Sequence, residues 1–345
     1  MGYGKMDSSV LKTVCIVGGG NLAHVTIGRL SLLPDVCVRL MTNRPEKWHN
    51  DISVTTPDGS MISAHVDRIS SDPGDVVPGS DIVLFCLPAF CVEEAVIKVA
   101  PFLEREMALG TVVGNTGFFI FCHRHLPANV RLFGFQRVPF VARVVEYGRS
   151  ASLLGYRDEL FLAAENFPDR ESFRREIEYL FGEKTTLLDS FYEVTLSNSN
   201  PILHTGRLYT MWKNWDGRPF DRCPLFYGEW NDEASELEVR MDNEFFSLLA
   251  ALKVNTSHIE TLLTHYESDS PSGMTAKIRS IASLSTILSP MKQVEGGWVP
   301  DFESRYFTED FPYGLKLIKD LSVANGIETP AIDEVLGWGM SCIGK

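Results

Sequence analysis

With 345 residues and 44% hydrophobic content, the chain is long enough for two domains with cores of their own. A formal net charge of −13 argues against nucleic acid or an anionic membrane surface as a partner. No stretch reaches the roughly 18 to 20 apolar residues of a membrane span, and residues 1–12 lack an apolar signal region, so a cytoplasmic protein is expected. Seven cysteines without framework spacing read as reduced thiols. Cys122, His123 and His125 lie close together, but no fourth ligand is evident and no metal site is expected.

In chain order, the first element is an apolar strand containing Val14, Ile16 and Val17. It opens into Gly18-Gly19-Gly20-Asn21-Leu22-Ala23, a G-x-G-x-x-A turn, and a helical pattern follows through Ile27 and Leu30. This is the order of a dinucleotide-binding βα unit. Gly18 allows the tight turn, Gly20 lets the backbone approach a pyrophosphate, and small Ala23 lets the helix pack close to the strand. Gly18, Gly20, Asn21, Leu22 and Ala23 are therefore expected to contact a cofactor at the helix N-terminus.

A second strand, Val36–Met41, ends at Thr42-Asn43-Arg44, where a carboxylate for the adenosine ribose would otherwise stand. A carboxylate repels a 2′-phosphate, whereas hydroxyl, amide and guanidinium groups bind one, so NADP(H) is favoured over NAD(H). A buried strand over 81–88, a helix over 92–103 and a strand over 111–114 come next. Their ends carry Leu87-Pro88 and Asn115-Thr116, further cofactor candidates at the carboxyl edge of a parallel sheet. Strand signals recur at 136–139 and 159–163.

Near residue 190 the texture changes to long 3.6-residue periodicity, over 235–254, 258–266 and 272–288. The expectation is an α/β Rossmann-type domain over 1–190 and an all-α domain over 191–345. The apolar faces of the second domain suffice for a homodimer, and equally for the domain's own core.

The second half holds the chemistry candidates. Asn200-Pro201 reads as an N-cap and first helical residue, placing His204 one turn inside on the face of Asn200 and Leu208. An aromatic stretch with Tyr209, Trp212 and Trp215 follows, then Tyr227 and Trp230. These rings would cradle a basic amine by cation–π contact or pack the domain, and spacing does not separate the two. Arg305 and Asp310 lie in an aromatic-rich segment ending in Pro312 and Gly314.

These motifs resemble the octopine/nopaline-type opine dehydrogenase family over nearly the whole chain. The matching pieces are Gly18 to Ala23, Leu87-Pro88-Ala89, Gly114 to Gly117 and Gln136-Arg137-Val138-Pro139-Phe140. They continue with Asn200-Pro201-Ile202-Leu203-His204, Arg305 to Leu315 and Gly326 to Asp333. The resemblance implies reductive condensation of an amino acid or other amine with a 2-oxo acid, pyruvate by default, using a nicotinamide cofactor. It implies a catalytic pair at His204 and Asp310 and a carboxylate-binding arginine at Arg305; Asn200 and Trp212 are further candidates for substrate contact. Thr205 and Phe118 depart from the family pattern, where proline and glycine are common.

Two other readings stay open at this level. A reductase of a small oxo or hydroxy acid, of the ketopantoate or glycerol-3-phosphate type, would need a catalytic lysine, with Lys213 or Lys253 as candidates. A non-catalytic NADP sensor would need none of His204, Arg305 and Asp310.

Overall fold

The computed structural model describes residues 11–344. They form two compact units, divided in the chain between Thr195 and Leu196, a few residues past the expected boundary at 190.

The first unit is α/β. Its strands are β1 (Lys12–Val17), β2 (Val36–Met41), β3 (Asp51–Thr55), β4 (Met61–His65), β5 (Arg68–Ser70) and β6 (Ile82–Phe85). Then follow β7 (Ala108–Thr111), β8 (Arg131–Phe135), β9 (Phe140–Glu146), β10 (Ser150–Tyr156), β11 (Glu159–Glu165) and β12 (Lys184–Leu187). Its helices are α1 (Asn21–Leu30), α2 (Pro73–Val76), α3 (Ala89–Val99), α4 (Phe118–His125), α5 (Arg170–Phe181) and α6 (Tyr192–Thr195).

Eight strands make one sheet in the order β12-β11-β8-β7-β6-β1-β2-β5, parallel except where β11 runs against β8. The order reverses at β1, and the chain ends of the central strands meet there, the usual dinucleotide position of a doubly wound sheet. Strand β1 is buried along nearly its length because both sheet faces are covered. Val14 and Ile16 enter one core and Cys15 and Val17 the other, as the two-residue period of a strand requires.

A second sheet, β4-β3-β10-β9, was not anticipated. Its strands alternate, with Ile52, Val54, Ile62, Ala64, Ala151 and Leu153 buried and their neighbours turned outward. That buried face packs over α1. The helix is consequently buried on nearly every side, and a side chain at Gly28 would strike Val54 at 2.6 Å. His24 ties the layers together: its Nδ1–H donates to the Gly20 carbonyl at 2.8 Å, and Nε2 accepts the Gly148 N–H at 2.8 Å.

The second unit is mostly helical. It holds α7 (Asn200–Trp212), α8 (Asp232–Ala251), α9 (Leu262–His265), α10 (Pro271–Ser280), α11 (Arg305–Thr308), α12 (Lys316–Ala324) and α13 (Pro330–Cys342). The helical character is as expected, with the addition of an antiparallel hairpin of β13 (Met291–Val294) and β14 (Gly297–Pro300), whose strands turn at Gly296 with φ 88°. The helix expected over 272–288 stops at Ser280, and 258–266 forms only the short α9. Helix α8 is as expected: Asn231 caps it on Ala234 N–H, and Ala234, Leu237, Met241, Phe245 and Leu248 bury one stripe.

Candidate active site

Each unit contributes one region of interest. In the first, residues at the ends of β1 and β2 and after β6 line a cavity of about 280 Å³. Of the expected cofactor residues, Gly18, Gly20, Thr42, Asn43, Arg44, Leu87 and Pro88 line it. Gly18 holds φ 122°, and a Cβ there would meet the Cys86 carbonyl oxygen at 2.6 Å. A Cβ on Gly20 would meet nothing within 4 Å, so the backbone there faces open space. A backbone that approaches closely without side-chain cover, at the start of a helix, suits a pyrophosphate.

The side chains of the other expected cofactor residues make contacts within the protein. The Asn21 side chain accepts the Val144 N–H at 2.8 Å and so fastens α1 to the second sheet. Ala23 is fully buried against the core, and Leu22 packs against the same core. Asn115 and Thr116 sit in a single 3₁₀ turn and do not line the cavity; the Thr116 hydroxyl donates to the Val113 carbonyl at 2.8 Å. Tyr147, between β9 and β10, was missed. It comes from the unforeseen sheet, lies 3.4 Å from the Thr42 hydroxyl and carries the Arg44 guanidinium 5.2 Å above its ring. Glu94 and Lys98 also line the cavity and pair with each other at 2.6 Å.

In the second unit, His204 lies on α7 and Asp310 opens a π-helical turn over Asp310–Leu315. That turn contains Pro312, which has no N–H to donate to an α-helical ladder, and turns of this kind recur at functional sites. Gly314 lets it seat on α7, since a Cβ there would lie 2.5 Å from the Pro201 ring. The seating brings the Asp310 carboxylate within 2.8 Å of His204 Nδ1. Their side chains are 12% and 19% exposed. The other ring nitrogen, Nε2, lies 3.0 Å from the Tyr227 hydroxyl. A carboxylate only accepts, so Nδ1 carries the proton, Nε2 is an acceptor and the Tyr227 O–H donates. Tyr306, at 4.8 Å between ring centres, and Phe226, at 5.8 Å, wall the imidazole.

Arg305 begins α11, with its side chain 78% exposed, and grips Glu309 through a forked pair at 3.0 and 2.6 Å. This pairing, with the charge of Asp310 nearby, raises the guanidinium above its usual range despite partial burial. Asn200 is exposed and is the first helical residue rather than the cap, which falls at Ser199. The Asn200 N–H is taken by the Asn198 side chain at 3.2 Å, so the helix begins one residue earlier than expected. Trp212 corrects the sequence reading. It is 3% exposed and its ring stacks on Phe307, so it packs the interior and offers no surface to a substrate. Lys213 pairs with Glu233 at 2.7 Å, and Lys253 is exposed in a left-handed turn with φ 55°. Neither contacts His204.

Behind the imidazole lies a charged interior that sequence reasoning did not find. Arg207, one turn after His204, is 3% exposed. It donates to the Phe226 and Glu229 carbonyls at 3.1 and 2.8 Å, and lies 5.3 Å over the Trp230 ring. Burial lowers its guanidinium to about 10. Glu238 on α8 is wholly buried with neither carboxylate oxygen hydrogen-bonded, and burial raises it well above the carboxylate range. Its neighbour Asp242 is raised to about 6 by burial, partly offset by the Leu262 N–H. Glu238 and Asp242 fall at helical spacing on the stripe of Ala234, Met241 and Phe245, so the 3.6-residue period of α8 was the signal that could have found them.

Among the described residues no three His, Cys, Asp or Glu side chains gather as a metal site. Cys122 is buried in the core, while His123 and His125 turn to Glu165 and Glu93. No helix among them is long and apolar enough to cross a membrane.

Residues 187–343 match the family described as NAD/NADP octopine/nopaline dehydrogenase, alpha-helical domain. The chain is 28% identical to the opine dehydrogenase of Haliotis discus hannai, covering 96% of this chain and 90% of that protein. It is 26% identical to the octopine dehydrogenase of Pecten maximus, covering the same shares. A solved structure of octopine dehydrogenase with NADH and L-arginine superposes with a TM-score of 0.85, 26% identity, and 97% and 90% of the two chains covered. Yersinopine dehydrogenase with NADP+, at 11% identity and a TM-score of 0.72, shares the fold.

A doubly wound α/β unit followed by a mostly helical unit, with relatives of this kind, places the chain among the NAD(P)-dependent oxidoreductases. Within that class it is homologous to the octopine and opine dehydrogenases, and its residues 187–343 match their alpha-helical domain.

Proposed function

We propose that the chain is an opine dehydrogenase that condenses an amino acid or other amine with a 2-oxo acid, pyruvate first, and reduces the imine with NAD(P)H. The observation that carries this reading is the 2.8 Å bond between His204 Nδ1 and Asp310. An imidazole with a fixed tautomer can both accept and donate a proton, which the two steps of the reaction need. His204 accepts a proton from the substrate ammonium, so that the amine attacks the oxo carbon as its neutral form. The imidazolium, held by Asp310, then returns that proton to the carbinolamine hydroxyl, which leaves as water.

Arg305 takes the oxo-acid carboxylate as a forked pair in place of Glu309. Its exposure makes the exchange inexpensive, since a surface ion pair is worth about 0 to 1 kcal/mol. The nicotinamide cofactor supplies the hydride that reduces the imine carbon. On the first unit, the Gly18 to Gly20 turn and the start of α1 would hold its pyrophosphate. Thr42, Asn43 and Arg44 would hold a 2′-phosphate, which favours NADP(H) over NAD(H). The octopine dehydrogenase relatives were solved with NADH, one with L-arginine and one with pyruvate, and these support the substrate classes named.

The test is oxidation of NADPH and of NADH with pyruvate and one amine at a time, with products weighed by mass spectrometry. The expected product has the mass of amine plus oxo acid less one oxygen. Oxidation by an oxo acid alone would instead identify a simple reductase. Silence across the panel with tight NADPH binding would leave a substrate outside the panel or a sensor.

A further inference from the structure

In the proposed reaction His204 must exchange a proton with the substrate, yet both its ring nitrogens are engaged inside the protein. Nδ1 is held by Asp310 at 2.8 Å and Nε2 by the Tyr227 hydroxyl at 3.0 Å. A proton therefore reaches the imidazole by way of Tyr227, or only after that hydroxyl has left.

The ring of Tyr227 is poorly placed to leave. It is 7% exposed, lies parallel to Trp230 with centres 5.7 Å apart, and abuts Phe226 edge-on at 4.9 Å. Trp230 is itself fixed, donating from Nε1 to the Ser235 hydroxyl at 3.1 Å, with the Arg207 guanidinium over its ring.

Resting on the opine dehydrogenase reading, we propose that Tyr227 is the proton relay of His204. In the forward direction its O–H proton passes to Nε2 while its oxygen accepts a proton from the substrate ammonium. The imidazole becomes imidazolium, the amine neutral, and the phenol is unchanged. For loss of water the same two transfers run backward: Nε2 returns its proton to the phenol oxygen, and the phenol proton goes to the carbinolamine hydroxyl.

The two transfers are concerted. Burial first, then the neighbouring groups Tyr306, Tyr266, Asp310 and Glu238, push the Tyr227 phenol above its usual range, which favours a phenol oxygen that keeps a proton throughout. The guanidinium of buried Arg207 is committed to the Phe226 and Glu229 carbonyls.

The experiment compares the unaltered chain, Tyr227→Phe, and a chain with 3-fluorotyrosine at 227, under the same amine-dependent NAD(P)H oxidation. A relay predicts that Tyr227→Phe lowers kcat by about 10²-fold or more, with KM for the oxo acid changed much less. It also predicts a curved proton inventory in mixed H2O and D2O for the unaltered chain, and a pH profile moved by fluorination. A Tyr227→Phe enzyme with unchanged or higher kcat would make the hydroxyl a mere plug on Nε2 and overturn the relay, while leaving the opine reading in place. Should that variant fail to fold, the fluorotyrosine chain decides, and an unmoved rate and pH profile would overturn the relay. Absence of amine-dependent oxidation in the unaltered chain would remove both the opine reading and the relay.

Discussion

The Nδ1 of His204 and the carboxylate of Asp310 lie 2.8 Å apart although 106 positions separate them in the chain. The contact depends on a π-helical turn seated on the first turn of α7 through Gly314. Asp310→Asn keeps the shape and removes the charge. An amide can donate to Nδ1, which moves the ring proton to Nε2 and leaves no acceptor there. The expected outcome is a loss of kcat of about 10²-fold to 10⁴-fold with cofactor affinity unchanged, read by steady-state kinetics and fluorescence titration.

Arg44 lies over the Tyr147 ring at the mouth of the first unit's cavity. If it binds a 2′-phosphate, Arg44→Ala should weaken NADPH by about 10-fold to 100-fold, as expected for loss of a charge-assisted hydrogen bond worth about 1.5 to 3 kcal/mol. NADH should change little. Equal losses for both cofactors would contradict a role in phosphate selection.

Two glycines should respond in opposite ways. At Gly20 a Cβ meets nothing within 4 Å, so Gly20→Ala should fold normally yet bind the cofactor poorly, because the methyl fills the space the pyrophosphate needs. At Gly339 a Cβ would enter the Phe311 ring, so Gly339→Ala should destabilise the helical unit by about 1 to 3 kcal/mol or more. Thermal unfolding and cofactor titration of the two variants separate these effects.

Asp242 carries a pH signature of the opposite sign to most carboxylates. Its folded value of about 6 stands above the ordinary 3.8, so the folded state binds the proton more tightly. Its contribution to stability is most favourable below about pH 4 and is lost as pH rises through 6. Asp242→Asn keeps an oxygen for the Leu262 N–H and removes the buried charge. It should raise stability by about 1 to 3 kcal/mol at pH 7, with the gain shrinking toward pH 4, in paired melts across that range.

Much of the α/β unit could be read along the chain. The run from Val14 to Val17 is apolar at every position, as a strand covered on both faces must be, and Gly18 follows where the backbone takes φ 122°. The second sheet was legible too and was overlooked. Residues 51–55 and 61–65 alternate apolar and polar on either side of Pro57-Asp58-Gly59, a hairpin signal. Helix α10 ends at Ser280, before its periodic pattern does; the apolar spacing continues into turns closed by bonds such as Ser285 N–H to the Ile281 carbonyl at 3.0 Å, with no residue of 281–288 buried.

The sequence by itself determined the local elements, through apolar period, caps and glycine placement, since each depends on residues a few positions apart. It also marked His204, Arg305 and Asp310 as candidates. The tertiary structure alone decided which of them meet. It set Asp310 and Tyr227 on the two nitrogens of His204, turned Arg305 to Glu309, and buried Trp212 against Phe307. It also placed Tyr147 in the lining of the first unit's cavity and sealed Glu238 in the interior. Contacts of this range come from how whole elements pack. Periodicity shows that a face is apolar, but not which distant face will cover it.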